Sequence, residues 1–325
     1  MDIVLQSNSR NILIDILKVI ASLLVVAFHC NFLYDHNKFV NYLFFKGIFR
    51  PVIPFFFCVS GFFLYTVFQK GHVTFWAKRV AILYVVWMLV FSYFWVTPNY
   101  NNPFKLLLNI VIGFNHLWYV ASLLVGGLLL YAVRKLSNKT LLIGAIILYC
   151  IGYFIQMLGD LKLVTEPEIL VKLVNFTPTH RNFLLFDLPF LALGYMIRRS
   201  NFHKQLHRKH VIGLLILSLV LLTIESLFHY YYNIDRSLSI ICLSCFIAAP
   251  VLLLSTFSFS VTSRLDSKLL SLYSIAIYLV HPLIVFIIRY FVTLESISLT
   301  LTAIILSIVA SYFLIQLNKK LKYIL

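Results

Sequence analysis

This sequence contains few charged residues, and acidic residues are the scarcest among them. Its 325 residues include 11 Asp and Glu against 27 Lys and Arg, and charged residues make up 12% of the chain. Soluble globular domains carry about 25% charged residues, so the composition excludes an ordinary soluble domain. The hydrophobic share of 61% indicates instead a protein that crosses a membrane several times.

The chain also lacks the signatures of several other protein classes. Its opening residues, MDIVLQSNSRN, show no positive-apolar-cleavage pattern, and the apolar run behind them is too long for a signal core, so we expect a retained first span. The net charge of +16 is spread over short loops between apolar runs, which indicates membrane orientation and not nucleic-acid binding. Without a tandem repeat, a low-complexity tract or a soluble segment, residues 1–325 are predicted to form one integral-membrane domain.

The five cysteines do not form a set of metal ligands. All lie inside apolar runs: Cys30, Cys58, Cys150, Cys242 and Cys245. The last two form a CxxC pair, but metal sites normally need a second pair of ligands, and none follows. We therefore expect small buried side chains and no bound metal.

Long apolar runs predict an all-α fold, a polytopic helix bundle of about ten membrane-spanning helices. The predicted spans cover residues 12–34, 51–68, 79–96, 116–133, 141–158, 182–198, 211–229, 237–256, 270–289 and 297–317. The run 104–114 is too short to cross, and it is predicted to be an interfacial or re-entrant piece that leads into the fourth span.

The distribution of basic residues predicts which side each loop occupies. Seventeen Lys and Arg residues fall in one set of alternating segments and nine in the other, and Lys18 lies inside a span. Because cytoplasmic loops carry an excess of Lys and Arg, both termini are predicted to be cytoplasmic. The longest outer segments are then 97–115 and 159–181.

Three ionisable residues interrupt the first span, namely Asp15, Lys18 and His29. A charge at the bilayer centre costs about 2.5–3.5 kcal/mol on insertion scales, so such residues usually have a function or a partner. Asp15 and Lys18 are spaced i, i+3, and we expect them to form a structural ion pair. His29 lies about 16 Å further along the helix axis than Lys18, toward the outer side.

Several outer-side residues are candidates for catalysis. His29 can take a proton from a hydroxyl and return it to a leaving group, and a carboxylate beside it would hold its tautomer. Arg181 and Asn182 can stabilise charge that develops on an acyl oxygen. A second histidine, His116, opens the fourth span. The alternatives are a buried hydrogen-bonding role for His29 and an interfacial position beside an aromatic belt for His116.

Other polar residues near the predicted outer side have less specific roles. Arg50 precedes the second span, Asp187 lies one to two turns into the sixth, and Glu225 lies in the outer half of the seventh. Glu225 needs a partner, which can be structural. His281 precedes Pro282, and we expect it to bond a carbonyl that the proline leaves without a donor.

A second group of basic residues lies at the predicted inner side. Lys78 and Arg79 open the third span, and Arg10 precedes the first. These cations can bind the phosphates of an anionic donor, or they can lie among anionic lipid headgroups. The Ser60–Gly61–Phe62 segment allows either close helix packing or the passage of a ligand.

Six segments in order resemble the acyltransferase-3 family of bacterial membrane O-acyltransferases. They are Arg10 followed by ILIDILKVIASLLVVAFH, then VIPFFFCVSGFFLY, FWAKRVAILY, HLWYVASLL, RNFLLFDLPFLALGY and SIAIYLVHPLI. The resemblance implies transfer of an acyl group, usually acetyl, from cytoplasmic acyl-CoA to a hydroxyl on an envelope glycan or a similar acceptor. It implies that His29 is the essential first-span histidine, that Arg10 is the basic residue at the entrance of that span, and that Arg79 engages the CoA phosphates. Lys18 stands where many relatives carry Arg.

Two of these segments also resemble the membrane half of the vancomycin-resistance serine racemases. In those proteins the module precedes a soluble racemase domain and is proposed to supply L-serine. The sequence thus leaves two functions open: an O-acyltransferase that uses acetyl-CoA, or a permease for an amino acid. A non-catalytic assembly partner is a third. The sequence leaves the acceptor open between a glycan, a lipid-linked sugar and another hydroxyl compound. It also leaves the oligomeric state open.

Overall fold

The computed structural model describes residues 11–234, 241–259, 261 and 265–325, and this part of the chain is helical without a β-strand. Its α-helices are α1 (Ile12–His29), α2 (Lys38–Leu43), α3 (Val52–Gln69), α4 (Val73–Val90), α5 (Ser92–Val96), α6 (Pro103–Ile112), α7 (Trp118–Val133), α8 (Asn138–Asp160), α9 (Glu168–Asn175), α10 (Thr177–His180), α11 (Leu188–Arg199), α12 (Arg208–Tyr231), α13 (Cys245–Ser258), α14 (Ser267–Phe291) and α15 (Ser296–Lys320). Phe44–Ile48 and Phe183–Asp187 form π-helical turns. The all-α prediction is confirmed.

Eight helical stretches of the described chain are long and apolar enough to cross a membrane. They are Ile12–His29, Lys38–Gln69, Val73–Val90, Asn115–Val133, Asn138–Asp160, Arg208–Tyr231, Ser267–Phe291 and Ser296–Lys320. Each of them overlaps one predicted span, so the prediction of a polytopic membrane bundle is confirmed at this level.

The sixth and eighth predicted spans form shorter helices than expected. Only 12 residues form α11, which follows a π-helical turn, and 14 residues form α13. Neither helix alone crosses a hydrocarbon core of about 30 Å. Residues 237–240 of the eighth predicted span lie outside the described residues. The count of ten spans and the side of the termini therefore stay predictions.

The first helix is shorter than its predicted range, 12–34. It ends at His29, and Asn31 and Leu33 then have φ angles of 51° and 66°. These left-handed conformations cannot continue a right-handed helix, so the chain turns at this end of the bundle.

The run that was predicted to be too short to cross forms α6, a helix of 10 residues. The Asn102 side chain caps its start, Pro103 occupies the first turn, and Gly113 ends it with a φ of 98°. No residue of α6 is buried, which agrees with an interfacial helix.

A row of polar contacts joins α1 to α14, and we call it the α1–α14 polar seam. It pairs Asp15 with Ser267, Lys18 with Ser271, Ser22 with Ser274 and His29 with His281. Residue numbers rise together on both helices, so the helices are parallel, as predicted for the first and ninth spans. The predicted Asp15–Lys18 ion pair is confirmed, with Nζ and Oδ1 3.2 Å apart.

Two glycines allow α3 and α11 to approach closely. A Cβ atom at Gly61 would lie 2.0 Å from the carbonyl oxygen of Leu191, and one at Gly194 would lie 1.9 Å from that of Cys58. No side chain fits at either position, since the obstacle is backbone in both cases. The Ser60–Gly61–Phe62 segment therefore serves helix packing, the first of its two alternatives.

Replacement of Gly194 by alanine tests this close approach. We expect Gly194→Ala to lower the melting temperature of the purified protein in detergent, because overpacking typically costs about 1–3 kcal/mol. Gly213→Ala is the matched control, since a Cβ there meets no atom within 4 Å and alanine favours the helix. Equal melting temperatures for the two variants would contradict the packing described here.

The Asp15–Lys18 pair gives a second test. In Lys18→Met, the buried Asp15 loses one of its partners while it keeps the bond from Ser267, so we expect a loss of at least about 1 kcal/mol of unfolding free energy. Adding Asp15→Asn should restore part of that loss, which a double-mutant cycle in detergent measures. The exposed Lys172–Glu168 pair is the control, and Lys172→Met should cost at most about 1 kcal/mol.

Candidate active site

Three imidazole rings meet where α1 ends. The Nδ1 atom of His29 lies 3.2 Å from Nε2 of His281, and the two ring centroids are 4.7 Å apart. The ring of His116 lies 5.4 Å from that of His281, centroid to centroid. The fold thus brings two predicted site residues together, His29 and His116, and adds a third histidine between them.

The end of α1 holds His29 in a fixed position. Its Nδ1 atom lies 2.9 Å from the carbonyl oxygen of Val25, one turn earlier in the helix. Its own carbonyl, which has no helical donor at the last residue of α1, accepts a hydrogen bond of 3.2 Å from Nη2 of Arg289. Both ends of the residue are therefore tied to neighbouring groups.

His116 is buried and does not occupy an interfacial belt. It is 1% exposed and lies in the 3-10 turn Asn115–Leu117 that opens α7. Its Nε2 atom lies 3.1 Å from the carbonyl oxygen of Leu279, and its own carbonyl accepts a hydrogen bond of 2.7 Å from the Tyr278 hydroxyl. These contacts tie the start of α7 to α14, and they overturn the interfacial alternative.

Arg181 lies between α10 and the π-helical turn that precedes α11. Its guanidinium carbon is 4.1 Å from the centroid of the Trp118 ring, a stacked position that favours Arg over Lys. The guanidinium lies within electrostatic range of the His29 ring. The structure thus places Arg181 near His29, and its part in the chemistry stays a prediction.

Asn182 caps the π-helical turn instead of facing the imidazoles. Its Oδ1 accepts hydrogen bonds from the amides of Leu184 and Leu185, each at 2.9 Å. Its Nδ2 donates to the carbonyls of Pro178 and Thr179, at 2.9 and 3.2 Å. All four contacts are local backbone contacts, so Asn182 caps this turn, and its predicted assistance to an acyl oxygen stays a prediction.

The expected carboxylate partner of His29 is not found in the described part of the chain. Asp187, one of the outer-side candidates, is fully buried near Ser122 and Arg181. The groups that face Nδ1 of His29 are instead the Val25 carbonyl and His281. Two neutral acceptors, the Val25 carbonyl and the His281 ring, thus lie where the sequence analysis expected a carboxylate.

His281 makes the structural bond that the sequence predicts, and it makes a second contact that the sequence does not predict. Its Nδ1 lies 2.8 Å from the carbonyl oxygen of Tyr278, the group that Pro282 leaves without a helical donor. This confirms the predicted structural bond. The contact with His29 was missed, because residues 252 positions apart share no local pattern; the available signal was that each continues a polar stripe of helical spacing on its own predicted span.

Glu225 and the CxxC cysteines have structural roles. Glu225 accepts hydrogen bonds from the amides of Leu243 and Ser244, at 2.6 and 2.8 Å, and it also accepts one from the Ser244 hydroxyl. It thereby secures the start of α13. Cys242 and Cys245 are free and buried, as expected.

The predicted donor-binding residues lie at the opposite end of the bundle. Helix α15 begins beside the site, where the Ser296 amide bonds Asp35 at 2.8 Å, and its 25 residues extend about 37 Å. Beside its last turns, where the Leu325 amide bonds the Asn318 side chain, Nη2 of Arg79 bonds the backbone oxygen of Leu325 at 3.2 Å. Lys78 and Arg79 are both exposed on α4. Arg10 lies outside the described residues.

Comparisons with known proteins point to one family. The family model of an acyltransferase domain matches residues 11–316. Two proteins of Enterococcus faecalis named amino-acid racemase match at 31% identity over 58% of this chain and at 25% over 95%. A serine/alanine racemase of Enterococcus gallinarum is 26% identical over 69% of the chain. These matches span 28%, 46% and 34% of the respective relatives, less than half of each. No solved structure matches.

Proposed function

This chain belongs to the acyltransferase-3 family, and on that premise we propose that it is a membrane O-acyltransferase. The donor is acyl-CoA from the cytoplasm, with acetyl-CoA as the specific proposal. The acceptor is a hydroxyl of an envelope glycan, a lipid-linked sugar or a similar compound at the outer side of the bacterial cytoplasmic membrane. The observation that carries the proposal is the separation of His29 and Arg181 from Lys78 and Arg79 by the length of the bundle.

In the proposed reaction His29 acts as the general base. It removes the proton of the acceptor hydroxyl as the oxygen attacks the thioester carbon. Arg181 stabilises the oxyanion of the tetrahedral intermediate, which is the type of interaction that most often dominates acyl transfer. The C–S bond then breaks, and the imidazolium returns the proton to the thiolate of CoA. No acyl-enzyme is required.

His116 is proposed to complete the site from the start of α7. Its Nε2 faces the Leu279 carbonyl, while its Nδ1 has no hydrogen-bond partner among the described residues. A buried polar atom of this kind is costly unless a ligand satisfies it. We propose that Nδ1 of His116 accepts a hydrogen bond from the bound acceptor.

At the other end, the phosphates of CoA are proposed to bind Lys78 and Arg79, with Arg10 as a third cation. Charge-assisted hydrogen bonds from Arg and Lys suit phosphate. The acyl thioester then reaches through the bundle toward His29. Membrane lipids surround the apolar faces of the outer helices.

Replacement of the general base gives the primary test. We expect His29→Gln to lower acetyl transfer at least about 10²-fold, since general base catalysis contributes 10²–10⁴-fold. The measurement is incorporation of label from [14C]acetyl-CoA into envelope material of membranes from the expressing bacterium. His210→Gln, at an exposed position, is the control. Transfer that survives in His29→Gln at the control rate would refute the mechanism.

The donor site is tested by Lys78→Gln combined with Arg79→Gln. We expect the KM for acetyl-CoA to rise at least about tenfold with little change in kcat, since a charged hydrogen bond contributes about 1.5–3 kcal/mol. The matched control removes two exposed lysines at the far end of α15, Lys319 and Lys320. An equal rise in KM for both double variants would indicate a general effect of charge at the membrane surface.

The alternative function is supply of an amino acid such as L-serine, which the names of the racemase relatives suggest. Uptake of labelled L-serine into proteoliposomes distinguishes the two. Uptake without any acyl donor, together with no turnover of acetyl-CoA, would favour the permease. If replacement of His29 changes neither L-serine uptake nor acetyl-CoA turnover, the result would favour a non-catalytic role as an assembly partner.

A further inference from the structure

We propose that His281 is a positioning residue that holds His29 in the tautomer with its proton on Nδ1. In that tautomer Nε2 of His29 carries the lone pair that accepts the proton of the acceptor hydroxyl. The use of this lone pair rests on the proposed function. The tautomer itself does not, because it follows from the hydrogen-bond partners of the two rings.

The tautomer of His281 is fixed by its own helix. Its Nδ1 lies 2.8 Å from the carbonyl oxygen of Tyr278 and 3.1 Å from that of Ile277. Carbonyl oxygens only accept, so Nδ1 must carry the hydrogen. Because Pro282 has no N–H, the Tyr278 carbonyl needs this donor. A neutral imidazole has one ring N–H, so Nε2 of His281 is an acceptor.

The tautomer of His29 follows from that of His281. Nδ1 of His29 faces two acceptors, the Val25 carbonyl at 2.9 Å and Nε2 of His281 at 3.2 Å. If Nδ1 carried a lone pair, that lone pair would repel the lone pairs of both acceptors. Nδ1 therefore carries the hydrogen and donates it to the Val25 carbonyl and to Nε2 of His281. Nε2 of His29 is then unprotonated. The Asn115 side chain also reaches the ring; its amide carries both a donor and an acceptor, so this contact is compatible with either tautomer.

The charged groups closest to the pair are cations. Arg289 bonds the His29 carbonyl, and Arg181 lies within electrostatic range of the His29 ring. His116 and Tyr278 face His281 from the start of α7 and from α14 itself. No carboxylate contacts either ring within the described ranges, so hydrogen-bond geometry fixes the tautomer.

The experiment is 15N solid-state NMR of histidine-labelled protein in lipid nanodiscs, with His29→Gln used to assign the His29 signals. In the wild-type protein we expect a protonated Nδ1 and an unprotonated Nε2 at His29. A His29 ring protonated on Nε2 would overturn the proposal. This readout needs neither donor nor acceptor, so it stands even if acyl transfer is not the function.

Two variants of His281 separate positioning from packing. His281→Gln can keep an acceptor where Nε2 lies, whereas His281→Leu has none. The leucine variant leaves the Val25 carbonyl, which also accepts the helical amide bond of α1, as the remaining acceptor near Nδ1. We therefore expect the Nε2-protonated tautomer of His29 to appear beside the Nδ1-protonated one, and kcat to fall in proportion to the lost Nδ1-protonated fraction with the KM unchanged. The glutamine variant should keep the tautomer and lower kcat less than about tenfold.

The control is His203→Leu, which replaces a buried histidine near the opposite end of the bundle, in the turn that follows α11; it should keep both the tautomer and kcat. Equal losses in the two His281 variants with an unchanged tautomer would overturn the proposal. If His281→Leu does not fold, the wild-type spectrum and the glutamine variant still test whether Nδ1 of His29 is protonated. If His29→Gln transfers acetyl normally, the proposed function fails while the tautomer assignment is judged separately.

Discussion

The structure of this site depends on the polar seam between α1 and α14. Four polar contacts in parallel register, from Asp15–Ser267 to His29–His281, set the axial position of one helix against the other. In a membrane, polar side chains that find no partner are costly, so such contacts specify register more strongly than apolar packing does. The two histidines meet because the contacts below them leave no other register.

The second requirement is the close approach of α3 and α11. Gly61 and Gly194 remove the side chains that would keep the two backbones apart. The π-helical turn before α11 is capped by Asn182, and the guanidinium of the preceding residue, Arg181, lies on the Trp118 ring. The cation thus lies beside this capped turn, whereas the seam brings His29 and His281 together.

Local chemistry made much of this predictable. The i, i+3 spacing of Asp15 and Lys18 gave their ion pair, and the missing N–H of Pro282 gave the His281 bond, because both effects act within one helical turn. The location of His29, His116 and Arg181 near one end followed from hydrophobic spans and the count of basic loops. The capping contacts of Asn182 were not predicted, since this residue type suits an oxyanion donor and a helix cap equally well.

What the sequence alone determined is the class of the protein: an apolar, all-helical bundle with titratable residues in its first span, and the family that those residues indicate. Tertiary structure alone decided the partner of His29. The carbonyl of Val25 lies one turn away, but His281 is 252 positions distant. The polar stripe on each helix follows from its own spacing, but which two stripes pair, and in what register, depends on contacts between helices that are distant in sequence.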